Sequence, residues 1–151
     1  MSKSALKDRV TDAVKEAMRS GDKRRLGTLR LVTAAIKQYE VDQRTELADD
    51  DVVALISKMV KQRHESIEQY RAANRADLAE QEEYELTVLE EFLPEPLSEA
   101  EIDAMIDGAV TESGAASVRD MGKVMGLLKP KLQGRADLGK VSGRVKARLN
   151  A

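Results

Sequence analysis

Thirteen residues near the C-terminus occur twice, and this internal repeat constrains the fold more than any other feature of the chain. Residues 120–132 align without a gap on residues 137–149, and seven of the thirteen positions are identical. Each copy begins with an Asp that can cap a helix and continues with apolar residues at helical spacing. Gly134, between the copies, is a typical helix stop. The repeat therefore predicts a helical hairpin. The second copy has one apolar stripe: Leu138, Val141, Val145 and Leu149.

Each copy also has two glycines four residues apart, Gly122 with Gly126 and Gly139 with Gly143. A glycine inside a helix costs roughly 0.5–1 kcal/mol relative to alanine. We call these pairs the glycine strips, because they leave one side of each helix without side chains. Two interpretations are open, the close approach of a neighbouring helix or that of a phosphodiester chain. On a helical wheel the second strip lies about 140° from its own apolar stripe, which favours the open side.

Charge in the repeat region is strongly one-sided. Residues 119–149 contain nine Lys or Arg and two Asp, a net of +7, so the remaining 120 residues carry −9. This segregation indicates a surface that binds a polyanion. The candidate RNA-binding residues are Lys123, Lys129, Lys131, Arg135, Gly139, Lys140, Gly143, Arg144 and Arg148. Three of them recur every four residues and are the first choice for phosphate contacts: Lys140, Arg144 and Arg148.

A secondary basic cluster opens the second predicted helix and consists of Lys23, Arg24, Arg25 and Arg30. Cations at a helix N-terminus oppose the macrodipole unless an anion binds there. The cluster is either such an anion site or a solvated surface.

The composition excludes several classes of protein. The chain of 151 residues has no Cys, and His64 is its only histidine, so neither a metal site nor a thiol nucleophile is expected. No secretory signal and no run of eighteen apolar residues is present. Aliphatic and charged residues dominate, and only three Pro occur. We expect an all-α cytoplasmic protein without a membrane partner and without a cofactor.

The helical pattern divides the chain into two parts. Four helices are predicted over about 4–20, 22–44, 50–74 and 75–93, with the Asp run at 49–51 as the N-cap of the third and as charge that favours its dipole. The fourth helix has a dense acidic face, which we interpret as solvated. Pro94 and Pro96 mark a boundary. This predicts an N-terminal helical domain at 1–94 and a C-terminal three-helix domain at 95–151, with capping boxes at Ser98 and Ser117.

The sequence shows no catalytic apparatus. Residues 134–141 match a phosphate-binding loop except at the last position, where Val141 replaces the Ser or Thr that would hold magnesium. The surrounding pattern is a helical hairpin and not the strand and helix that such a loop requires. No nucleophile has a neighbouring base at a suitable spacing. We therefore predict no catalytic residues.

Several blocks in the chain resemble the GatB/YqeY family. They are GDKRRLGTLR at 21–30, AIK at 35–37, LPEPL at 93–97, DMGKVM at 120–125 and GRAD at 134–137. The resemblance implies a larger helical N-terminal domain and a small three-helix C-terminal domain. It also implies likeness to the tail of the B subunit of the tRNA-dependent amidotransferase, the part that meets tRNA. A carbon–nitrogen ligase activity with glutamine as amide donor is implied for that enzyme, but its catalytic cradle is missing here.

These observations favour a tRNA-binding module or accessory factor without intrinsic activity. Only four aromatic residues occur, Tyr39, Tyr70, Tyr84 and Phe92, so recognition of RNA shape and backbone is expected rather than base stacking. An aminoacyl-tRNA or a component of the amidotransferase is a further possible partner. Two alternatives remain, a protein-interaction adaptor and an enzyme with the family's amidotransferase activity.

Overall fold

The computed structural model describes residues 3–150, and within that range it contains seven α-helices, one short 3₁₀ turn and no strand. The all-α prediction is confirmed. The helices are α1 (Ala5–Ser20), α2 (Lys23–Gln43), α3 (Asp49–Ala72), α4 (Ala76–Glu90), α5 (Glu99–Ser113), α6 (Met121–Leu132) and α7 (Leu138–Asn150), and the 3₁₀ turn is Val118–Asp120.

The chain divides into two compact units, one up to Leu93 and one from Pro94 onward. This division lies one residue before the boundary expected from the prolines. In the first unit α1 packs on α2 and α3 packs on α4, around a core that includes Leu29 and Ile56. In the second unit α5 packs on α6 and α6 on α7, around a separate core.

Local capping chemistry sets most helix ends. The Ser4 side chain accepts from the Lys7 amide, and Gly21 adopts a left-handed conformation (φ 73°) that closes α1. Asp22 caps α2 by accepting from the Arg25 amide at 3.1 Å. The predicted capping box at Ser98 is confirmed, because its hydroxyl and the Glu101 carboxylate each accept from the other residue's amide.

The Asp run at 49–51 lies in the first turn of α3, where its charge favours the helix dipole as predicted, but it does not supply the N-cap, so that part of the interpretation is wrong. Ala48 is the N-cap residue, and Asp51 accepts a hydrogen bond from the Ala48 amide at 3.1 Å. The Asp49 carboxylate instead accepts from the Ser4 hydroxyl and from the Leu6 amide. It thereby joins the start of α3 to the start of α1, a contact across more than forty residues.

The predicted solvated face of α4 is confirmed only in part, because Glu80 and Glu90 are exposed whereas Glu82 is half-buried and Glu85 is buried. Glu80 and Glu91 pair with arginines of α2, and Glu83 pairs with Arg71 of α3. Glu85 is buried at 7% exposure and lies 3.5 Å from the guanidinium of Arg63. Glu85 is covered because α3 packs on α4 and places Arg63 beside it.

The buried side of α4 does not include all of its leucines. Leu78 is exposed, whereas Ala79, Val88 and Leu89 are buried. The side of α4 that faces its neighbours therefore combines small and branched residues with carboxylates. Leu78 lies outside this side of the helix.

Replacing Asp49 by Ala should destabilise the first unit, because the Ser4 hydroxyl and the Leu6 amide lose a common acceptor. We expect Tm to fall by a few degrees, as when a small domain loses a hydrogen bond. The Ser4 hydroxyl, first among several donors, holds the pKa of Asp49 below its ordinary 3.8. The stabilisation should be present above that value and disappear as pH falls through the folded pKa. Thermal melts of wild type and variant between pH 2 and 7 measure this pH-dependent stabilisation. Asp50→Ala removes the same charge from an exposed neighbour and should have little effect.

Glu82→Gln should have the opposite effect. Burial, and then the nearby Glu85 carboxylate, raise the pKa of Glu82 above 4.5, although Arg63 opposes the shift. The charged form is thus disfavoured in the folded chain, and its cost grows as pH rises through the folded pKa. We expect the variant to melt a few degrees higher at pH 7 and equally at pH 4. Glu90→Gln, on an exposed position of α4, is the control, and a gain that persists at pH 4 would contradict the assignment.

Candidate nucleic-acid interface

The repeat forms the predicted helical hairpin of α6 and α7. Both copies bury the same repeat positions, Val124 with Val141 and Leu128 with Val145. Leu138 and Leu149 pack against this core, so the predicted apolar stripe of the second copy is confirmed. Gly134 lies between the helices with φ 77°, a left-handed conformation that suits glycine. Because both helices bury the same repeat positions, the same repeat positions also lie on the open side of each helix.

The two aspartates of the repeat have different roles. Asp137 accepts from the amides of Gly139 at 2.9 Å and Lys140 at 3.3 Å, and so caps α7 as predicted. Asp120 does not cap α6, and its carboxylate accepts from the Ala116 amide at 2.9 Å. This hydrogen bond, with a smaller contribution from the Ser117 amide, holds the pKa of Asp120 below its usual value, although burial opposes the shift. The 3₁₀ turn before α6 reorients the first copy, which the repeat alone did not reveal.

The glycine strips face away from the protein. A Cβ added at Gly122, Gly126 or Gly143 would meet no described atom within 4 Å beyond its own helix and chain neighbours. At Gly139 the added Cβ would lie 3.2 Å from Oδ1 of Asp137. No helix in residues 3–150 therefore packs on the strips, and helix packing within this chain does not account for them.

The structure places Arg144 and Arg148 in ion pairs with α5. Arg144 contacts Glu99 at 2.7 Å and also Asp103, and its side chain is only 29% exposed. Arg148 contacts Asp107 at 3.1 Å. The acidic residues of α5 in these pairs are Glu99, Asp103 and Asp107, which recur every four positions. This spacing matches that of the row Lys140, Arg144 and Arg148, the first choice for phosphate contacts. Two of its three members thus join helices of the second unit.

Arg135 is likewise engaged in the fold. Its Nε donates to the Glu95 carbonyl at 3.0 Å, and its own carbonyl accepts from the Leu97 amide at 3.0 Å. These bonds attach the proline-containing segment to the turn between α6 and α7. The role of Arg135 in the described structure is therefore to hold this segment.

Four lysines remain on the open sides of the hairpin: Lys123, Lys129, Lys140 and Lys146. They occupy the same two positions of each copy and, by helical geometry, lie on both sides of its glycine strip. Lys123 lies 3.9 Å from Asp120 but is 71% exposed, so that pair is weak. Lys131 is also exposed, at the end of α6.

Lys146 was absent from the candidate residues chosen on sequence. The repeat could have identified it, because Lys146 aligns with Lys129 as an identical position. The four-residue spacing drew attention instead to Arg144 and Arg148, whose partners on α5 are far away in sequence.

The secondary basic cluster of α2 is largely neutralised. Arg24 contacts both carboxylate oxygens of Glu80, at 2.8 and 2.7 Å, and lies 3.9 Å from the centre of the Tyr84 ring. Arg25 pairs with Glu91 at 2.6 Å. Lys23 and Arg30 have no ion pair in the part of the chain that the structure describes. The four cations therefore do not form one free anion site.

Two further findings concern other kinds of site. His64 is exposed, and residues 3–150 contain no group of three or more potential metal-binding side chains. Val141, at the magnesium position of the near match to a phosphate loop, is buried in the core of the second unit. In the same range, no helix combines the length and the hydropathy that crossing a bilayer requires.

Curated relatives of the chain include fungal proteins named "Altered inheritance of mitochondria protein 41, mitochondrial". The one from Pyrenophora tritici-repentis is 35% identical over 130 residues, which cover 85% of this chain and 71% of that protein. The one from Lachancea thermotolerans is 39% identical over 102 residues, which cover 66% of this chain and 54% of that protein. The match to the second relative therefore spans about half of its length.

A family model described as "Yqey-like protein" matches residues 7–149. This match includes all seven helices except the first two residues of α1 and the last residue of α7. It agrees with the blocks from which the GatB/YqeY resemblance was drawn. Since the family model covers nearly the whole sequence, the chain belongs to the family of Yqey-like proteins.

Proposed function

We propose that this protein binds the sugar–phosphate backbone of tRNA through the open sides of α6 and α7. One observation carries the proposal, the repetition of the same open surface on both helices. In each copy two glycines leave space for a close approach, and one lysine lies on either side of them. Phosphate contacts from lysines position a nucleic acid without reading its bases.

The energetics of the glycine strips support a ligand. Four glycines within helices cost roughly 0.5–1 kcal/mol each relative to alanine. Packing within the described chain does not compensate this cost, because three of the four positions face open space. A backbone that approaches the helices closely would use the space that an alanine methyl group would fill.

The composition of the second unit favours recognition of shape. All four aromatic residues of the chain precede Leu93, so the unit that contains the hairpin has no ring on which a base could stack. Double-helical RNA is recognised mainly through its phosphates and 2′-hydroxyl groups, a mode that suits lysines beside glycines. The choice of tRNA rests on the likeness to the tail of the amidotransferase B subunit.

The proposed role is that of an accessory factor without catalysis of its own. No residue is assigned to chemistry, so a carbon–nitrogen ligase activity would need an amidotransferase component as partner. An aminoacyl-tRNA is then the natural form of the ligand. A cytoplasmic location stays an expectation, and the printed names of the two fungal relatives place those proteins in mitochondria.

Replacing Lys140 and Lys146 together by Gln should weaken tRNA binding. If both contact phosphates, the slope of log Kd against log salt should decrease by about 1.4–1.8. Binding of total tRNA is measured by gel shift between 50 and 200 mM salt, with duplex DNA as competitor. The matched control replaces Lys15 and Lys58, two exposed lysines of the first unit, by Gln. Equal affinity and equal slope in wild type and in the hairpin variant would refute the proposed interface.

Gly143→Ala should separate the stability of the fold from its affinity for RNA. Because the added methyl meets open space, the variant should be more stable by up to roughly 1 kcal/mol. Its affinity for tRNA should fall, since the methyl keeps the phosphate chain away. Gly139→Ala is the matched comparison and should gain less stability, because its methyl displaces the capping carboxylate of Asp137. Melts and salt-controlled titrations test both, and a lower Tm with unchanged affinity would exclude an RNA-facing strip.

A further inference from the structure

The outer side of α2 has a second apolar surface, opposite the side that packs into the core. Its residues are spaced alternately four and three apart, which is the spacing of a helix that packs along another helix. We call it the outer seam, and it consists of Gly27, Leu31, Ala34, Gln38 and Val41. All five positions are exposed. The buried side of α2 is formed by other residues, among them Leu29, Val32 and Ile36.

The apolar members of the outer seam are open to solvent in the described chain. Leu31 is 44% exposed and Val41 63%, among the highest values for large apolar side chains here. A Cβ added at Gly27 would meet no described atom within 4 Å outside its own helix and chain neighbours. A helix with apolar residues on two sides is typical of a helix that is covered on both.

A row of cations runs beside the outer seam. Lys23, Arg30 and Lys37 are seven residues apart, and all three are exposed. On a helical wheel their mean direction lies about 60° from that of the seam. None of them forms an ion pair within residues 3–150, whereas Arg24 and Arg25 of the same helix pair with Glu80 of α4 and with Glu91, which follows it. The row occupies the flanking positions that set the choice of partner in paired helices.

We propose that the outer seam of α2 is a docking site for an amphipathic helix of another protein that carries a row of carboxylates. The seam extends over residues 27–41, about 21 Å at 1.5 Å per residue, which suits a partner helix of about 15 residues. The leucine and valine supply the apolar contact, and the three cations supply the preference for an acidic partner. Gln38, polar within the seam, would restrict the register.

Charge makes a second copy of this chain a poor occupant. In an antiparallel pair of α2 helices the cation row would face its own copy. In a parallel pair it would face Thr28, Ala35 and Asp42, of which only one is acidic. RNA could use the cations, but it would gain nothing from Leu31 and Val41. An acidic amphipathic helix is complementary to both features at once.

A surface hollow lies next to the cation row, between α1 and α2. Its volume is about 240 Å³, and Lys37 belongs to both the hollow and the row. The Lys7 and Glu40 side chains pair at 2.8 Å within it, and Thr11, Thr33 and Ile36 complete its lining. By helical spacing the α2 residues of the hollow lie well to one side of the outer seam, so the hollow is not part of the proposed docking surface.

The test titrates the ¹⁵N-labelled full chain with two synthetic helical peptides of 18 residues. Both peptides have Leu along one seam, with Glu on the flanks in the first and Lys on the flanks in the second. We expect chemical-shift changes centred on residues 27–41 and about tenfold tighter binding of the acidic peptide, as three exposed ion pairs would give. This comparison uses the wild-type chain and does not depend on the folding of any variant.

Three variants refine the test, and circular dichroism checks their folding. Leu31→Gln with Val41→Gln should weaken binding of the acidic peptide at least about fivefold. Lys23→Glu, Arg30→Glu and Lys37→Glu together should reverse the preference between the peptides. Lys15→Glu, Lys58→Glu and Lys61→Glu change the net charge equally on exposed positions elsewhere and should keep the original preference.

Three results would overturn the proposal. One is equal affinity for the two peptides, or shift changes that lie away from α2. Another is self-association in sedimentation that Val41→Gln removes, because the occupant would then be a second copy. The third is a pair of findings. The charge reversal on α2 removes tRNA binding, and Leu31→Gln with Val41→Gln leaves both tRNA binding and peptide binding unchanged.

Discussion

Rows of opposite charge face one another across neighbouring helices in each unit. In the second unit the acidic row of α5 holds Arg144 and Arg148 of α7, and in the first the carboxylates of α4 hold arginines of α2 and α3. Individual exposed pairs contribute little stability, and only networks of them contribute more. The same pairing separates structural cations from available ones. Among the cations that it leaves available are the lysines beside the glycine strips and the row on α2, and both proposals rest on these.

Features decided within one or two helical turns could be predicted from the sequence. The caps at Ser4, Asp22 and Ser98 and the stripe through Val141 and Val145 follow from local hydrogen-bonding chemistry and helical spacing. The errors arose where a partner distant in sequence decides the outcome. Asp49 binds the start of α1, Glu85 is buried against Arg63, and Arg144 meets Glu99 and Asp103. A sequence pattern shows which side of a helix is polar but not which charges it will meet.

The repeat shows how far an internal duplication can guide the assignment of a site. Both copies keep the buried positions and the glycine and lysine positions, although their first turns differ because Asp120 ends a 3₁₀ turn and Asp137 caps α7 directly. Because both copies bury the same positions, core packing explains why apolar residues recur at these positions. It does not explain glycines that face open space, since alanine there would favour the helix. The glycines that recur on the open sides of both helices therefore indicate a constraint that comes from outside the fold.

The balance of charge in each unit bears on how an RNA would bind. The net of +7 over residues 119–149 suggested a strongly basic end, but residues 94–151 contain nine cations and eight carboxylates, a net of +1. The residues before them carry sixteen cations and nineteen carboxylates. Neither unit therefore has the large positive net charge that attracts nucleic acids from a distance. Affinity would have to come from contacts at short range, where a phosphate chain lies close to the helix and between lysines. A helix surface without side chains permits that approach, so the near neutrality of the second unit makes its glycines more important for binding than its total charge.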